Sequence, residues 1–465
     1  MVSFRPAVLA ILILLSGCTA GPDYVPPELA IPAKFSEGRS RSIGDVGGNT
    51  WWAAYDDKEL DRLISAGLDQ NLDVRQALER INSAAAQVTI AGASALPRLT
   101  LTASYTGSDK GGKAPQQKEM RGELSLSWLL DLFGLYRRNT ESAQAALESS
   151  YASVEVARLA YIQDLVSSYI DLRYYQQRLV LSRANLKSRQ ETYDLTKFQL
   201  DAGAASRVDV VQAEGLVRQI VAEIPGLEAN SRTSVHHIAE LLGLPAGSLV
   251  AQLQKHSGQP AFRGGIDAGI PAVVIRSRPD IRKAERDLAS ATAQIGVAEA
   301  QLYPSISLSG LIAPTHTKRD GTHGDITAWS FGPSLNLPVF DGGRLRANVE
   351  VQKSNAKVAY LAWKATVLNA VEQVENALTA VNRDARTLEA LRNQVKTAQE
   401  TLELSTASYK DGASSLLDVL EAQRSVSDTQ ASLAVAKQQS AKDYAVLNIA
   451  LARGATMDMP TRTSN

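Results

Sequence analysis

The chain has 465 residues, with 49 Lys+Arg balanced by 49 Asp+Glu, so its net charge favours neither nucleic acid nor an acidic solvating tail. A hydrophobic fraction of 44 % is enough for a core and too low for a helical membrane bundle. The single cysteine excludes an internal disulfide and a cysteine-based zinc site, and five histidines and four methionines leave little for any other metal.

Arg5 precedes a short apolar run, Ala7 to Leu15, far below the ~20 residues of a membrane-spanning helix. Residues 1–17 therefore read as a secretory signal. Leu15-Ser16-Gly17-Cys18 resembles the bacterial lipobox, in which Cys18 becomes the acylated N-terminus. A plain signal peptide with an incidental cysteine is the alternative. By resemblance to other lipoproteins, Thr19 in place of Asp favours sorting to the outer membrane. Residues 18–58 follow as a lipidated, extended strap, because Pro22, Pro26, Pro27 and Pro32 forbid a regular helix.

Beyond the strap the chain repeats itself. Asp73-Val74-Arg75 recurs as Asp280-Ile281-Arg282, an offset of 207 that also aligns Gln87 with Gln294, Pro97 with Pro304, Phe133 with Phe340 and Arg137 with Arg344. Farther on the offset is 209, aligning Gly203 with Gly412, Ser206 with Ser415 and Asp209 with Asp418. Repeat 1 is placed at 59–245, a linker at 246–272, repeat 2 at 273–453 and a tail at 454–465. Each repeat carries a helix, two strands, a very long helix and a returning helix.

The first helices, Leu72 to Leu96 and Pro279 to Leu302, are stopped by Pro97 and Pro304. The period then switches to two. Leu99, Leu101, Ala103 and Tyr105 alternate with Thr and Ser, as do Leu124, Leu126, Trp128 and Leu130. In repeat 2, Ile306 and Leu308 alternate with serines, and Trp329, Phe331, Leu335 and Leu337 with small polar residues. This predicts four strands of about ten residues, apolar on one face and nearly charge-free on the other. A half-buried soluble sheet has the same pattern. The segments from Leu135 to Ala202 and Arg344 to Asp411 contain neither Gly nor Pro. A helix of that size is about 100 Å long. Val367, Val371, Val374, Leu378, Val381, Ala385, Leu388, Leu391, Val395, Ala398 and Leu402 form a coiled-coil seam. Gly203 and Gly412 end the long helices, and Ser206 with Asp209, and Ser415 with Asp418, have capping-box spacing for the next ones. Pro225-Gly226 predicts a kink in the returning helix of repeat 1.

Four strands cannot stand alone in hydrocarbon, where every backbone group must be paired, so the sheet must close by assembly. Three chains give twelve strands, enough for an aqueous pore. The fold class expected is mainly α with a β-barrel part: a homotrimeric channel-tunnel with coiled-coil hairpins.

That order resembles the TolC-like outer-membrane factors, of the lipoprotein branch serving drug-efflux pumps. The motifs carrying the resemblance are Gly21-Pro22-Asp23-Tyr24, Trp51-Trp52, the run from Arg276 to Arg282 with Ala284-Glu285, and Ala298, Ala300, Leu302, Tyr303 and Pro304. The resemblance covers the mature chain. It implies a trimeric exit duct in the lipid bilayer of the outer membrane that docks a periplasmic adaptor and an inner-membrane pump. The hairpin tips, Gly203-Ala204-Ala205-Ser206 and Gly412-Ala413-Ser414-Ser415, are the expected adaptor-docking surfaces. By resemblance, Asp209 and Tyr409 match positions that link neighbouring helices at a gate, and Asp418 and Glu421 match a ring of carboxylates at the narrowest point. Ser414 departs from relatives that carry a charged gate residue there. Helix capping by Asp209 and Asp418 is an equally open reading.

Other function classes fare worse. His236 and His237 diverge on a helix, no phosphate loop or nucleophile elbow appears, and the paired acids lie on solvated faces, so no enzyme, cofactor or nucleic-acid partner is expected. A structural coiled-coil lipoprotein needs no alternating strands. An exit duct for type I protein secretion shares the fold and stands as the alternative to small-molecule efflux. A heavy-metal pump is a further subtype.

Overall fold

The computed structural model describes residues 19–28, 34–37, 50–109, 111, 116–255, 258–262, 271–319 and 322–455. Cys18, the signal and the end of the tail lie outside them. Among the described residues the helices are α1 (Lys58–Gln70), α2 (Leu72–Ala93), α3 (Leu135–Asp201), α4 (Arg207–Leu241), α5 (Val250–Leu253), α6 (Pro271–Ser277), α7 (Pro279–Ala300), α8 (Arg344–Lys410) and α9 (Leu416–Ala450). The strands are β1 (Arg98–Ser108), β2 (Gln117–Leu130), β3 (Ser305–Arg319) and β4 (Thr322–Asn336). The chain divides into two compact units, residues 1–29, 79–152 and 282–365, and residues 30–78, 153–281 and 366–465.

In the first unit the strands form one antiparallel sheet in the order β1-β2-β3-β4. Leu101 lies opposite Leu124, Leu124 opposite Ile312 and Ile312 opposite Trp329. Directly paired residues share a face. One face therefore collects Leu99, Leu101, Tyr105, Leu124, Trp128, Ile312, Trp329 and Phe331, and the other Thr100, Thr102, Ser125, Ser309 and Ser330. The strands are 11 to 15 residues long, longer than the pattern predicts. The extra residues of β2 bring Glu119 and Arg121 onto the polar face beside Glu123, so that face is not charge-free. Arg121 offsets the charge by pairing with Glu123 at 2.7 Å. Within the chain β1 and β4 are edge strands.

The first helices end two or three residues before the predicted points, where Ala95 N–H turns back to Gly92 and Leu302 N–H to Glu299. The indole N–H of Trp128 donates to the carbonyl of Ala95 at 2.9 Å, satisfying one end-group of α2. Beside the sheet the strap is fastened residue by residue. Ala20 N–H donates to Phe133 O at 2.9 Å. The buried Arg138 guanidinium donates to the carbonyls of Ala20 and Gly21 and pairs with Asp23 at 2.7 Å. Gly21, at φ +84°, lies so close to α7 that a Cβ there would come within 2.4 Å of Gly296 Cα. Tyr24 donates to Glu285 Oε1 at 3.2 Å, and Arg286 lies 5.3 Å over its ring. Gly21-Pro22-Asp23-Tyr24 and Ala284-Glu285 are thus two sides of one contact.

In the second unit a 3-10 turn, Trp51–Tyr55, packs both tryptophans and Tyr55 into a core with Leu60, Ile64, Ile162, Leu165, Tyr169 and Ile238. Asp57 caps α1 and accepts the Tyr169 hydroxyl at 2.6 Å. The helices α3 and α8 are both 67 residues long. The offset is therefore already 209 at their first residues, and Arg137 corresponds to Arg346, not to Arg344. The two extra residues, Asp341 and Gly342, lie just after Phe340, where Asp341 accepts the N–H groups of Gly343 and Leu345. On α8, Val367, Val374, Leu378 and Val381 are buried, whereas Leu388, Leu391, Val395 and Leu402 are half-buried and Ala385 is exposed. Pro225 does not interrupt α4. The carbonyl it leaves without a donor is that of Val221, a residue open to water.

Candidate functional site

Each hairpin tip is built by the same chain logic. Gly203 and Gly412 take φ +74°, a left-handed conformation that glycine adopts without a Cβ clash. Ala204 N–H then reaches back to Gln199 O, and Ala413 N–H to Ser408 O, both at 2.8 Å. Ser206 and Ser415 cap α4 and α9 in complete capping boxes: Asp209 N–H donates to the Ser206 hydroxyl at 3.2 Å, and Asp418 N–H to that of Ser415 at 3.3 Å. The carboxylates return the contact, accepting the N–H of Ser206 at 2.8 Å and of Ser415 at 3.0 Å. The hydroxyl and N–H of Ser206 hold the Asp209 carboxyl below its ordinary range. None of the described residues comes within 4 Å of a Cβ placed on either glycine, so within the chain both tips present open backbone.

The gate candidates occupy distinct roles. Asp209 and Asp418 are caps. Tyr409 packs its ring beside Ala213, Leu216, Leu416 and Leu420, and its hydroxyl donates to Gln199 Oε1. Glu421, one turn below Asp418 on α9, pairs with Arg424 at 2.9 Å. Within the chain Tyr409 and Asp209 thus have separate partners. Sequence reasoning missed Gln199, and also the polar ties between the hairpins. The buried Gln423 donates to Thr192 Oγ1 at 2.8 Å, and Arg189 to Leu216 O at 3.1 Å and Ser427 Oγ at 3.0 Å. No sequence signal marked them, because the buried stripe of α3 here is itself polar, made of Ser182, Arg189, Thr192 and Thr196.

A second cluster explains the Arg-Pro-Asp-Ile-Arg run. The buried Arg278 donates to Ala450 O at 2.7 Å, grips both oxygens of Asp280 and reaches Gln373 at 2.9 Å. Its repeat-1 counterpart, Asn71, donates to Leu241 O at 2.8 Å and accepts the N–H groups of Asp73 and Val74.

Residues 63–244 and 271–453, the two repeats, match the family described as outer membrane efflux protein. The chain belongs to that family. It is 61 % identical to nodulation protein T of Rhizobium leguminosarum bv. viciae over 454 residues, covering 98 % of this chain and 94 % of that one. It is 32 % identical to the outer membrane protein OprJ of Pseudomonas aeruginosa, covering 91 % and 90 %. Among solved structures it is similar to the outer-membrane channel OprN, with TM-score 0.84 and 31 % identity over 94 % of this chain and all of that one. It is likewise similar to the open state of the Neisseria gonorrhoeae MtrE channel, with TM-score 0.80 and 28 % identity over 96 % of this chain. As an outer membrane efflux protein the chain is an outer-membrane channel. The apolar face of its sheet meets lipid, and its long helices belong to the periplasm. Among the described residues no helix is long and apolar enough to cross a membrane.

Proposed function

We propose that three copies of the chain close one twelve-stranded barrel and work as a passive exit duct for small molecules, docked to a periplasmic adaptor and an inner-membrane pump. The observation that carries the assembly is the sheet itself: its apolar face needs lipid, and its edges β1 and β4 need partners there. The half-buried lower seam of α8 supports the same reading, since a neighbouring chain supplies the missing cover. Small-molecule efflux is preferred over protein secretion because relatives at 30 % identity carry the names of antibiotic and toluene efflux pumps. Native mass spectrometry in detergent should report three chains, and a stable folded monomer would sink the assembly. Loss of the gene should sensitise cells to small toxic solutes and leave secreted proteins unchanged; the opposite pattern selects protein secretion.

On this reading Cys18 carries the lipid, two residues before the fastened Ala20. The tips 203–206 and 412–415 receive the adaptor, where small residues let a partner helix approach closely. Tyr409 and its Gln199 partner hold the tips together. Trimeric symmetry triples Asp418 and Glu421, three residues apart on one face, into a negative constriction that favours cations, with Asp209 fixing the neighbouring tip. Single-channel recording tests the gate: Tyr409→Phe should raise the resting conductance, and neutralising Asp418 and Glu421 should weaken cation preference. Unchanged conductance in both would leave these residues as caps and packing alone.

A further inference from the structure

Between α3, α4 and α9, above the tips, lies a cavity of about 80 Å³ lined by Arg178, Ser182, Arg189, Glu223, Arg424 and Asp428, among others. That volume holds a few waters or one small ion with a water. Its walls are unequally matched in charge. Arg178 pairs with Glu223, and Arg424 with Glu421. Arg189 is 4 % exposed, and none of the described carboxylates pairs with it. Two of its nitrogens donate to neutral oxygens, those of Leu216 and Ser427, and its Nε has no hydrogen-bond partner among the described residues. Asp428 is exposed on α9, where water screens its charge.

A guanidinium stays protonated even where burial, reinforced by the neighbouring Arg424 and only partly offset by Asp428 and Glu223, pulls its pKa down. A buried cation whose own hydrogen bonds go to neutral oxygens, with carboxylates acting on it only at longer range and a polar cavity beside it, can take a further counter-charge from outside the chain. We infer that the cavity beside Arg189 is a binding site for a small monovalent anion of the chloride class, held by Arg189 Nε and the guanidinium of Arg424. One guanidinium without a hydrogen-bonded carboxylate calls for no more than one negative charge, and the carboxylates of Glu223 and Asp428 repel a divalent anion. Arg189 already ties α3 to α4 and α9, so the anion completes a three-helix joint above the proposed gate. The inference rests on the cavity within one chain and does not depend on the gate.

The test uses the purified full-length protein in detergent. Crystals soaked in bromide should show an anomalous peak within about 3.5 Å of Arg189 Nε. The melting temperature should rise saturably with chloride when gluconate, too large for the cavity, holds ionic strength constant. Arg189→Met should abolish both signals. If that variant does not fold, Arg424→Gln, on the open side of the cavity, should shift the chloride midpoint at least several-fold. Ordered water alone with chloride-independent melting would overturn the site. So would a bromide peak with no chloride dependence, which is binding at crystal concentration only. Stabilisation by sulfate exceeding that by chloride would overturn the monovalent assignment.

Discussion

At the start of α2 the side chain of Asn71 crosses to the carbonyl of Leu241, and at the start of α7 that of Arg278 crosses to the carbonyl of Ala450. These are equivalent places in the two repeats. The repeat-1 joint is neutral and local, with one amide bridging two helix ends. The repeat-2 joint is ionic, and it spans three helices because Arg278 also needs Asp280 and reaches Gln373 on α8. Core volume is exchanged in the same way. Gly67 of α1 leaves room for Tyr161, whereas the matching positions of repeat 2 hold Val274 and Ala370, both buried. The repeats preserve backbone punctuation and redistribute side-chain bulk and charge, so equivalent sites are not equally fragile.

The largest difference should appear at those joints. Arg278→Ala leaves the half-buried Asp280 carboxylate and the Ala450 carbonyl without their donor and, discounted for the exposure of Asp280, should cost about 2–4 kcal/mol, whereas Asn71→Ala should cost about 1–3 kcal/mol. Denaturant melts of the two variants measure the gap, and equal losses would erase the distinction. Next comes Gly67→Ala. The new Cβ would meet the Tyr161 hydroxyl at 1.7 Å, and that hydroxyl is tied to Leu63 O, so overpacking of about 1–3 kcal/mol is expected. Gly67→Ala with Tyr161→Phe should recover part of it.

At the tips the repeats are alike, and there the comparison should flatten. Ser206→Ala and Ser415→Ala should each cost about 1 kcal/mol, read as faster amide exchange in the first turns of α4 and α9. A marked inequality would mean that one tip is held by something besides its cap.

The smallest effect concerns a carboxylate specific to repeat 2. Burial, and then the neighbouring Asp443, raise Asp384 to about 6, while the matching repeat-1 positions are Tyr175 and Ser234. Its folded pKa is raised, so the folded state holds the proton more tightly, and this contribution to stability falls as pH rises from about 4 through 6. Asp384→Asn should therefore gain melting temperature over the parent at pH 8 and not at pH 4. After discounting for its exposure to solvent the gain is about 1 kcal/mol. A pH-independent difference between the two proteins would remove Asp384 from the account.

What could be read from sequence was what chain chemistry decides locally. Proline stops, left-handed glycines, the Ser-x-x-Asp caps and the two-residue alternation of the strands all act within a few residues, and the structure has the glycines and caps where the pattern places them, with the first helices ending two or three residues early and the strands running longer. The repeat was legible too, but its two-residue insertion was misplaced because Arg137 and Arg344 align in sequence although Arg344 opens α8 and Arg137 is the third residue of α3. The ties of Gln199, Arg189 and Gln423 were not legible. A polar residue on a helix looks solvated until the partner helix is known. Arg278 was conspicuous as part of a motif, yet its acceptor lies 172 residues away in the chain.

The strap docked under the sheet has a consequence in time. Ala20 and Gly21 leave the ribosome early, but Glu285, Arg286 and Gly296, against which they and Tyr24 close, are made some 260 to 280 residues later. At about 5–20 residues per second that gap is roughly 15–55 s. Until then the N-terminal segment has only the Phe133 and Arg138 side of its dock, and any membrane attachment it carries acts as a leash rather than a foothold. The contacts of Arg138 and Gly296 then turn the leash into a fixed mount, so the arrival of α7, the first long helix of the second repeat, is reported back to residues 20–24.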